Sequence, residues 1–217
     1  GVQRNGAMQE FIAVPWQKII PCGSISARDA ALIEPMSVGF HAVDRGRVTD
    51  TDTVMVIGCG MVGLGAVVRA VLRGATVIAA DLDEEKLALA KKLGATYTYN
   101  TSKEFSLPAP DVVIEAVGAV PTYQLAINTV AFIGRVVCIG YSKSDVPLTT
   151  SLFVKKELDI MGSRNANPSD FEAVINYLSK TDAPVDTFIS KIVEPADADK
   201  ALSEWHQATG KIFRILA

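Results

Sequence analysis

From about Thr53 to Gly140, short β-branched runs alternate with longer amphipathic stretches, and glycine stands at most of the joints. Periods of two and of 3.6 following one another in this way predict parallel β-α-β units. The first run, Val54-Met55-Val56-Ile57, is apolar without a break, the pattern of a strand covered on both faces. A helix is expected from Met61 to about Arg73, with Gly74 supplying a left-handed stop. Thr76-Val77-Ile78-Ala79-Ala80 reads as the second strand. Asp83 then stands where a helix N-cap accepts backbone N–H groups, with Glu84 and Glu85 in the first turn, Lys91 and Lys92 in the last, and Gly94 beyond.

Residues 97–99 read as a short third strand and 111–115 as a fourth. The interval 100–110 contains Pro108 and Pro110 and is short for a crossover helix, so an irregular crossover is expected. Pro121 suits the first turn of a helix reaching about Ala131, and Val136-Val137-Cys138-Ile139-Gly140 reads as a fifth strand. Leu158-Asp159-Ile160-Met161 is a sixth, at the sheet edge. The two ends break the pattern: residues 8–14, Ile20, 187–193 and 211–216 read as strand pieces with no sheet of their own. They point to a partner domain outside this sequence.

A length of 217 residues suits one domain with part of a second, and 49% hydrophobic against 21% charged residues describes a packed chain rather than a disordered one. The net charge of −3, without a Lys/Arg block, argues against nucleic acid and anionic lipid as partners. Apolar stretches such as Ala66–Ala80 are interrupted by Arg69 and Arg73, and none offers the roughly 20 uncharged residues a membrane span requires. With no signal-peptide pattern at Gly1-Val2-Gln3-Arg4, a soluble, cytoplasmic protein is expected. Cys22, Cys59 and Cys138 are widely spaced, with no Cys-x-x-Cys pair, and read as reduced apolar residues.

Gly58-Cys59-Gly60-Met61-Val62-Gly63 is a G-x-G-x-x-G between a predicted strand and a predicted helix. In that context Gly58 permits the tight turn, Gly60 lets backbone approach a pyrophosphate, and Gly63 allows close helix packing. Free N–H groups near Met61 and Val62 would meet the anion. Asp81 ends the second strand, near the position, about 20 residues on, where an acid binds a ribose hydroxyl. Its charge would repel a 2′-phosphate, and no Arg follows it, so NAD is expected over NADP. A glycine-rich turn with a helix-capping acid is the plainer alternative, and a methyltransferase also pairs such a loop with an acid.

Ala31-Leu32-Ile33-Glu34-Pro35-Met36-Ser37-Val38-Gly39-Phe40-His41-Ala42, Gly58 to Gly63, Asp81, Glu115-Ala116-Val117-Gly118 and Gly210-Lys211 carry a collinear resemblance over nearly the whole chain. It resembles zinc-dependent medium-chain alcohol and polyol dehydrogenases, including sorbitol, threonine and sugar-acid types. Gly162-Ser163-Arg164-Asn165-Ala166 is similar to the sugar-acid, galactonate-like group. The resemblance implies an α/β fold: a Rossmann doubly wound parallel sheet with residual strands of a truncated GroES-like catalytic domain. Residues 1–42 would be the remnant of that domain, 43–165 the NAD-binding domain and 166–217 the return segment.

The same resemblance implies that Asp81 and Lys86 hold the adenosine ribose, Met61 and Val62 line the pyrophosphate, and Val117, Ile139, Gly140 and Tyr141 flank the nicotinamide. It places Glu34 beside a catalytic zinc. Glu34 and His41 lie about two turns, roughly 10 Å, apart on one helix face. One could then face a metal and the other the cofactor; a solvated carboxylate and a half-buried structural histidine are the alternatives. Arg164 could pair with Glu34, contact cofactor or stand as a surface residue. The family's Cys and His zinc ligands are absent from this sequence, so zinc is expected only in the full-length protein.

Hydride transfer between a secondary alcohol, a polyol or sugar acid, and NAD is the implied activity, with zinc assistance and this chain largely the cofactor half. A zinc-free NAD(P)H-dependent reductase and a non-catalytic nucleotide-binding module are the alternatives. A small-molecule alcohol is the expected partner, and the sixth strand the contact of a homo-oligomer, such as a dimer.

Overall fold

The computed structural model describes residues 5–103, 108–180, 183–207 and 213–217. Six parallel strands form one sheet: β1 (Thr53–Ile57), β2 (Thr76–Asp81), β3 (Tyr97–Asn100), β4 (Val112–Glu115), β5 (Arg135–Cys138) and β6 (Asp159–Gly162). Their order is β3-β2-β1-β4-β5-β6. This is the doubly wound order, reversing direction between β1 and β4.

Alternation along each strand loads both faces. Val54, Val56, Val77, Ala79, Val112 and Ile114 enter one core, while Met55, Ile57, Ile78, Ala80, Val113 and Val136 enter the other. The first core is covered by α2 (Ile33–Arg45), α3 (Met61–Leu72), α4 (Glu84–Lys92) and α7 (Pro168–Leu178), the second by α5 (Val120–Thr129) and α6 (Ser151–Lys156). A four-residue turn of helix, α1 (Ala27–Ala30), precedes α2.

Helix α2 lies against α3 with almost no side chain between them. A Cβ on Gly39 would sit 2.2 Å from the Val62 carbonyl oxygen, and one on Gly65 would sit 2.8 Å from that of Met36. Phe40, fully buried beside this crossing, also faces the Arg69 guanidinium at 5.4 Å. The segment boundary expected at residue 42 falls inside α2, and the one at residue 165 falls in the loop before α7.

The punctuation follows the expected chemistry. Asp83 accepts from the backbone of Glu85 (2.8 Å) and Lys86 (3.5 Å), and Gly74 and Gly94 take φ of +84° and +101°. The described part of the β3-to-β4 crossover has no helix, as the prolines and short length require; residues 104–107 lie outside the described residues.

The terminal strands need correction. Residues 8–14 and Ile20 pair with no strand among the described residues, and residues 16–18 form a single 3-10 turn. The expected 187–193 strand shortens to β7 (Lys191–Ile192), paired in parallel with β8 (Ile215–Leu216). Lys211 and Ile212 lie outside the described residues. A lone extended segment cannot satisfy its own N–H and C=O groups, so these pieces hold strand form only where they find each other. Between the two, α8 (Ala198–Gln207) turns Ala198 and Ala201 inward.

Candidate functional site

A doubly wound sheet leaves a crevice beyond the carboxyl ends of its strands where the order reverses. Here the two strands flanking that point are β1, which runs into Gly58, and β4, which runs into the 116–118 turn. A cleft of about 270 Å³ opens between them, lined by Ile57, Gly58, Gly60, Ala80, Asp81, Leu82, Lys86, Thr101, Ala116, Val117 and Thr122. A larger hollow of about 790 Å³ lies along the segment from Asn5 to Lys18, but among the described residues Lys18 is the one charged side chain lining it. Convergent polar groups, rather than volume, single out the smaller cleft.

The glycines divide the labour as their spacing implies. Gly58 takes φ +96°, a conformation that disfavours any side chain. A Cβ on Gly63 would fall 1.8 Å from the Gly58 carbonyl oxygen, so this glycine lets α3 start directly against the turn. Gly60 is different: a Cβ there meets nothing within 4 Å, so its bare face looks onto open space. Helix α3 begins at Met61 with no side-chain cap, and its first-turn N–H groups, including those of Met61 and Val62, lack intrahelical acceptors. An uncapped helix start beside a bare glycine suits a phosphate. These residues fit a dinucleotide.

Asp81 reaches back to that turn. Its Oδ2 accepts from the Cys59 N–H at 2.7 Å and its Oδ1 from the Asp83 N–H at 3.0 Å, which orients the carboxylate at the cleft wall with lone pairs to spare. Lys86, on the first turn of α4, lines the same wall. On the far side Val117 is 50% exposed and Tyr141 91% exposed, an apolar pair left bare above the sheet. Ile139 and Gly140 stand half-buried beside them.

The cysteines nearby are unreactive by burial. The Cys59 thiol is pushed up to about 12, chiefly by burial and secondarily by the Asp81 charge. Burial, with a further contribution from Glu115, pushes Cys138 up to about 11.

Three expected residues lie elsewhere. His41 turns toward α7, where its Nδ1 lies 3.0 Å from Oδ2 of the buried Asp170, the side chain that also accepts from the Asn167 N–H at the start of that helix. Glu34 is exposed in the first turn of α2, and among the described residues no group of three His, Cys, Asp or Glu side chains could hold a metal ion. These residues alone do not fit zinc. Arg164 is exposed in the loop after β6 and forms no ion pair with Glu34. Conversely, Thr101 and Thr122 line the cleft without any motif to mark them. Their signal was positional: Thr101 follows the carboxyl end of β3, and Thr122 opens α5 just after β4.

Sheet order, bare glycine turn and the acid that ends β2 together define a dinucleotide-binding α/β domain. Residues 61–180, more than half of the chain, match the zinc-binding dehydrogenase family model, and the chain belongs to that family. It is 31% identical over 199 residues to L-galactonate-5-dehydrogenase of Escherichia coli (strain K12), covering 88% of this chain and 58% of that protein. It is 36% identical over 178 residues to D-xylulose reductase of Scheffersomyces stipitis, covering 75% and 49%. Among solved structures, galactitol-1-phosphate dehydrogenase from Escherichia coli superposes with a TM-score of 0.79 at 28% identity, covering 87% of this chain and 60% of that one. Alcohol dehydrogenase TADH from Thermus sp. ATN1 gives 0.85 at 25% identity, covering 97% and 64%. The chain thus spans roughly half to two-thirds of the length of the relatives it matches.

Proposed function

We propose that the whole protein is a medium-chain oxidoreductase that moves a hydride between a secondary alcohol and NAD, and that this chain supplies the cofactor cleft. Carrying the proposal is the juxtaposition at one switch point of an uncapped helix start, a glycine with open space before it and an acid aimed at the same turn. When bound, the nicotinamide supplies a two-electron acceptor for the hydride. The residues described here bind and orient it.

In this scheme the α3 amides hold the pyrophosphate, Asp81 accepts from a ribose hydroxyl and Lys86 lies alongside. Val117 and Tyr141, with Ile139 and Gly140 behind them, give the nicotinamide a water-poor face. Asp81 selects NAD, because a 2′-phosphate placed against a carboxylate is repelled. His41 serves chiefly to dock α7 through Asp170. Zinc is proposed for the whole protein and not for these residues; Glu34 could contribute only with ligands from outside them.

The relatives' names, a galactonate dehydrogenase, a xylulose reductase and a galactitol-phosphate dehydrogenase, support a polyol or sugar acid as the substrate class. No helix among the described residues is long and apolar enough to cross a membrane, in keeping with a cytoplasmic enzyme. We further propose that copies pair through the β6 edge. Ile160 there is 40% exposed, and Phe132, Ile133 and Val154 on neighbouring segments are 66%, 75% and 81% exposed.

Calorimetric titration of this chain with NAD and with NADP tests the cofactor assignment. NAD should bind and NADP bind at least tenfold more weakly, about one like-charge contact at close range. Equal affinities would remove the role given to Asp81. Light scattering showing a monomer at high concentration would remove the role given to β6.

A further inference from the structure

Glu115 is fully buried at the end of β4, although it carries a titratable group and holds none of the positions assigned above to the cofactor. It has two ends that reach two different loops. Its backbone carbonyl accepts from the N–H groups of Ile139 (2.8 Å) and Gly140 (3.1 Å). Its side-chain Oε1 accepts from the N–H groups of Val117 (3.0 Å) and Gly118 (2.8 Å) and from the Thr122 hydroxyl (2.7 Å).

Those loops meet backbone to backbone above Glu115. A Cβ on Gly118 would lie 2.5 Å from the Tyr141 nitrogen, and one on Gly140 would lie 2.1 Å from the Gly118 nitrogen and 2.4 Å from Glu115 Oε2. From the first turns of α5, the Tyr123 hydroxyl donates to the Gly140 carbonyl at 2.6 Å and closes the seam from the side. The exposed side chains of Val117 and Tyr141 stand on its two edges. Gly118 holds φ +81°, a conformation that favours glycine, and Oε1 gathers the N–H groups of the turn that carries Val117.

We infer that Glu115 is a positioning residue for the nicotinamide end of the cleft: it sets the separation of the 117–118 and 139–141 walls without touching the cofactor. The inference rests on the cofactor reading above and goes beyond it by dividing the cleft in two. Asp81 and Lys86 serve the adenosine end, and Glu115 serves only the other. Oε2 has no hydrogen-bond partner among the described residues, so an amide NH2 placed there opposes no donor. Glu115→Gln can therefore keep its oxygen toward Val117, Gly118 and Thr122, whereas Glu115→Ala takes the acceptor from the Val117 and Gly118 N–H groups and leaves the Thr122 hydroxyl only the Ala119 carbonyl.

The test is calorimetric titration of the chain and its variants with NAD and with ADP-ribose, which shares the adenosine and pyrophosphate but lacks the nicotinamide. Glu115→Ala should weaken NAD binding about tenfold or more, the loss expected when buried donors go unpaired, while ADP-ribose stays within about twofold. Glu115→Gln should restore most of the NAD affinity. Should Glu115→Ala fail to fold, Thr122→Val should show the same selective loss, smaller in size. Equal losses for both ligands, or no loss for either, would overturn the inference. A wild-type chain that binds ADP-ribose and NAD equally well also counts against it, whereas one that binds neither overturns the cofactor reading beneath it.

Discussion

Gly60→Ala separates cofactor binding from stability, because this glycine is conformationally ordinary and spatially exceptional. Its φ of −71° and ψ of −178° lie in the extended region open to any residue, and a Cβ there touches nothing within 4 Å. Removing glycine from the unfolded ensemble stabilises by about 0.4–1 kcal/mol, and replacing a glycine N-cap by alanine costs a comparable amount. The two effects offset, so the net change should stay under about 1 kcal/mol and Tm should move by less than about 4 °C.

Binding should respond otherwise. The added methyl stands where a pyrophosphate must approach the α3 amides, and each charge-assisted hydrogen bond lost costs about 1.5–3 kcal/mol, so NAD affinity should fall at least about tenfold. Gly63→Ala is the control. Its Cβ, 1.8 Å from the Gly58 carbonyl oxygen, forces backbone to move, with an overpacking cost of about 1–3 kcal/mol set against about 1 kcal/mol of helix propensity. That variant should lose binding and also some stability. Circular dichroism melts without ligand, followed by calorimetry with NAD, read both quantities. A Gly60→Ala protein that binds NAD like the wild type would refute the assignment of this turn to the pyrophosphate.

Other outcomes follow from groups farther from the cleft. Partial burial pushes the Asp44 carboxyl up, but Arg69 and Arg73 outweigh it and hold it below 3.8. A depressed carboxylate stabilises above its unfolded value and loses that contribution as pH falls through the folded one, so urea midpoints of wild type and Asp44→Asn should differ at pH 7 and converge below pH 3.8. A gap as wide at pH 3 as at pH 7 would contradict this. His41→Ala should cost about 1–3 kcal/mol in urea unfolding, by leaving buried Asp170 short of a partner, with NAD affinity unchanged. Loss of NAD binding without loss of stability would instead put His41 at the cofactor. With thiols raised to about 12 and 11, Cys59 and Cys138 should resist a thiol reagent at pH 7 and react only in denaturant; fast native labelling of either would contradict the burial seen here.

What the amino-acid order determined alone is local. Unbroken apolar runs made buried strands, Asp83 and Gly94 bracketed α4, and the spacing of Gly58, Gly60 and Gly63 marked the phosphate turn, because each depends on residues within a few positions of one another. Where strands ended was less legible: β5 stops at Cys138, short of the Ile139 and Gly140 expected in it. The terminal runs were apolar enough for strands, yet among the described residues only β7 and β8 formed, since a strand requires a neighbour that the pattern cannot supply.

Tertiary structure decided the long-range pairings. His41 and Asp170 are separated by most of a domain in sequence and meet only because α2 and α7 cover the same sheet face. Glu115 looked like one residue of a motif until folding brought the 139–141 loop over its head. Hydrogen bonds between distant segments depend on where the sheet sets its strands, and that placement is a property of the whole core rather than of any stretch within it.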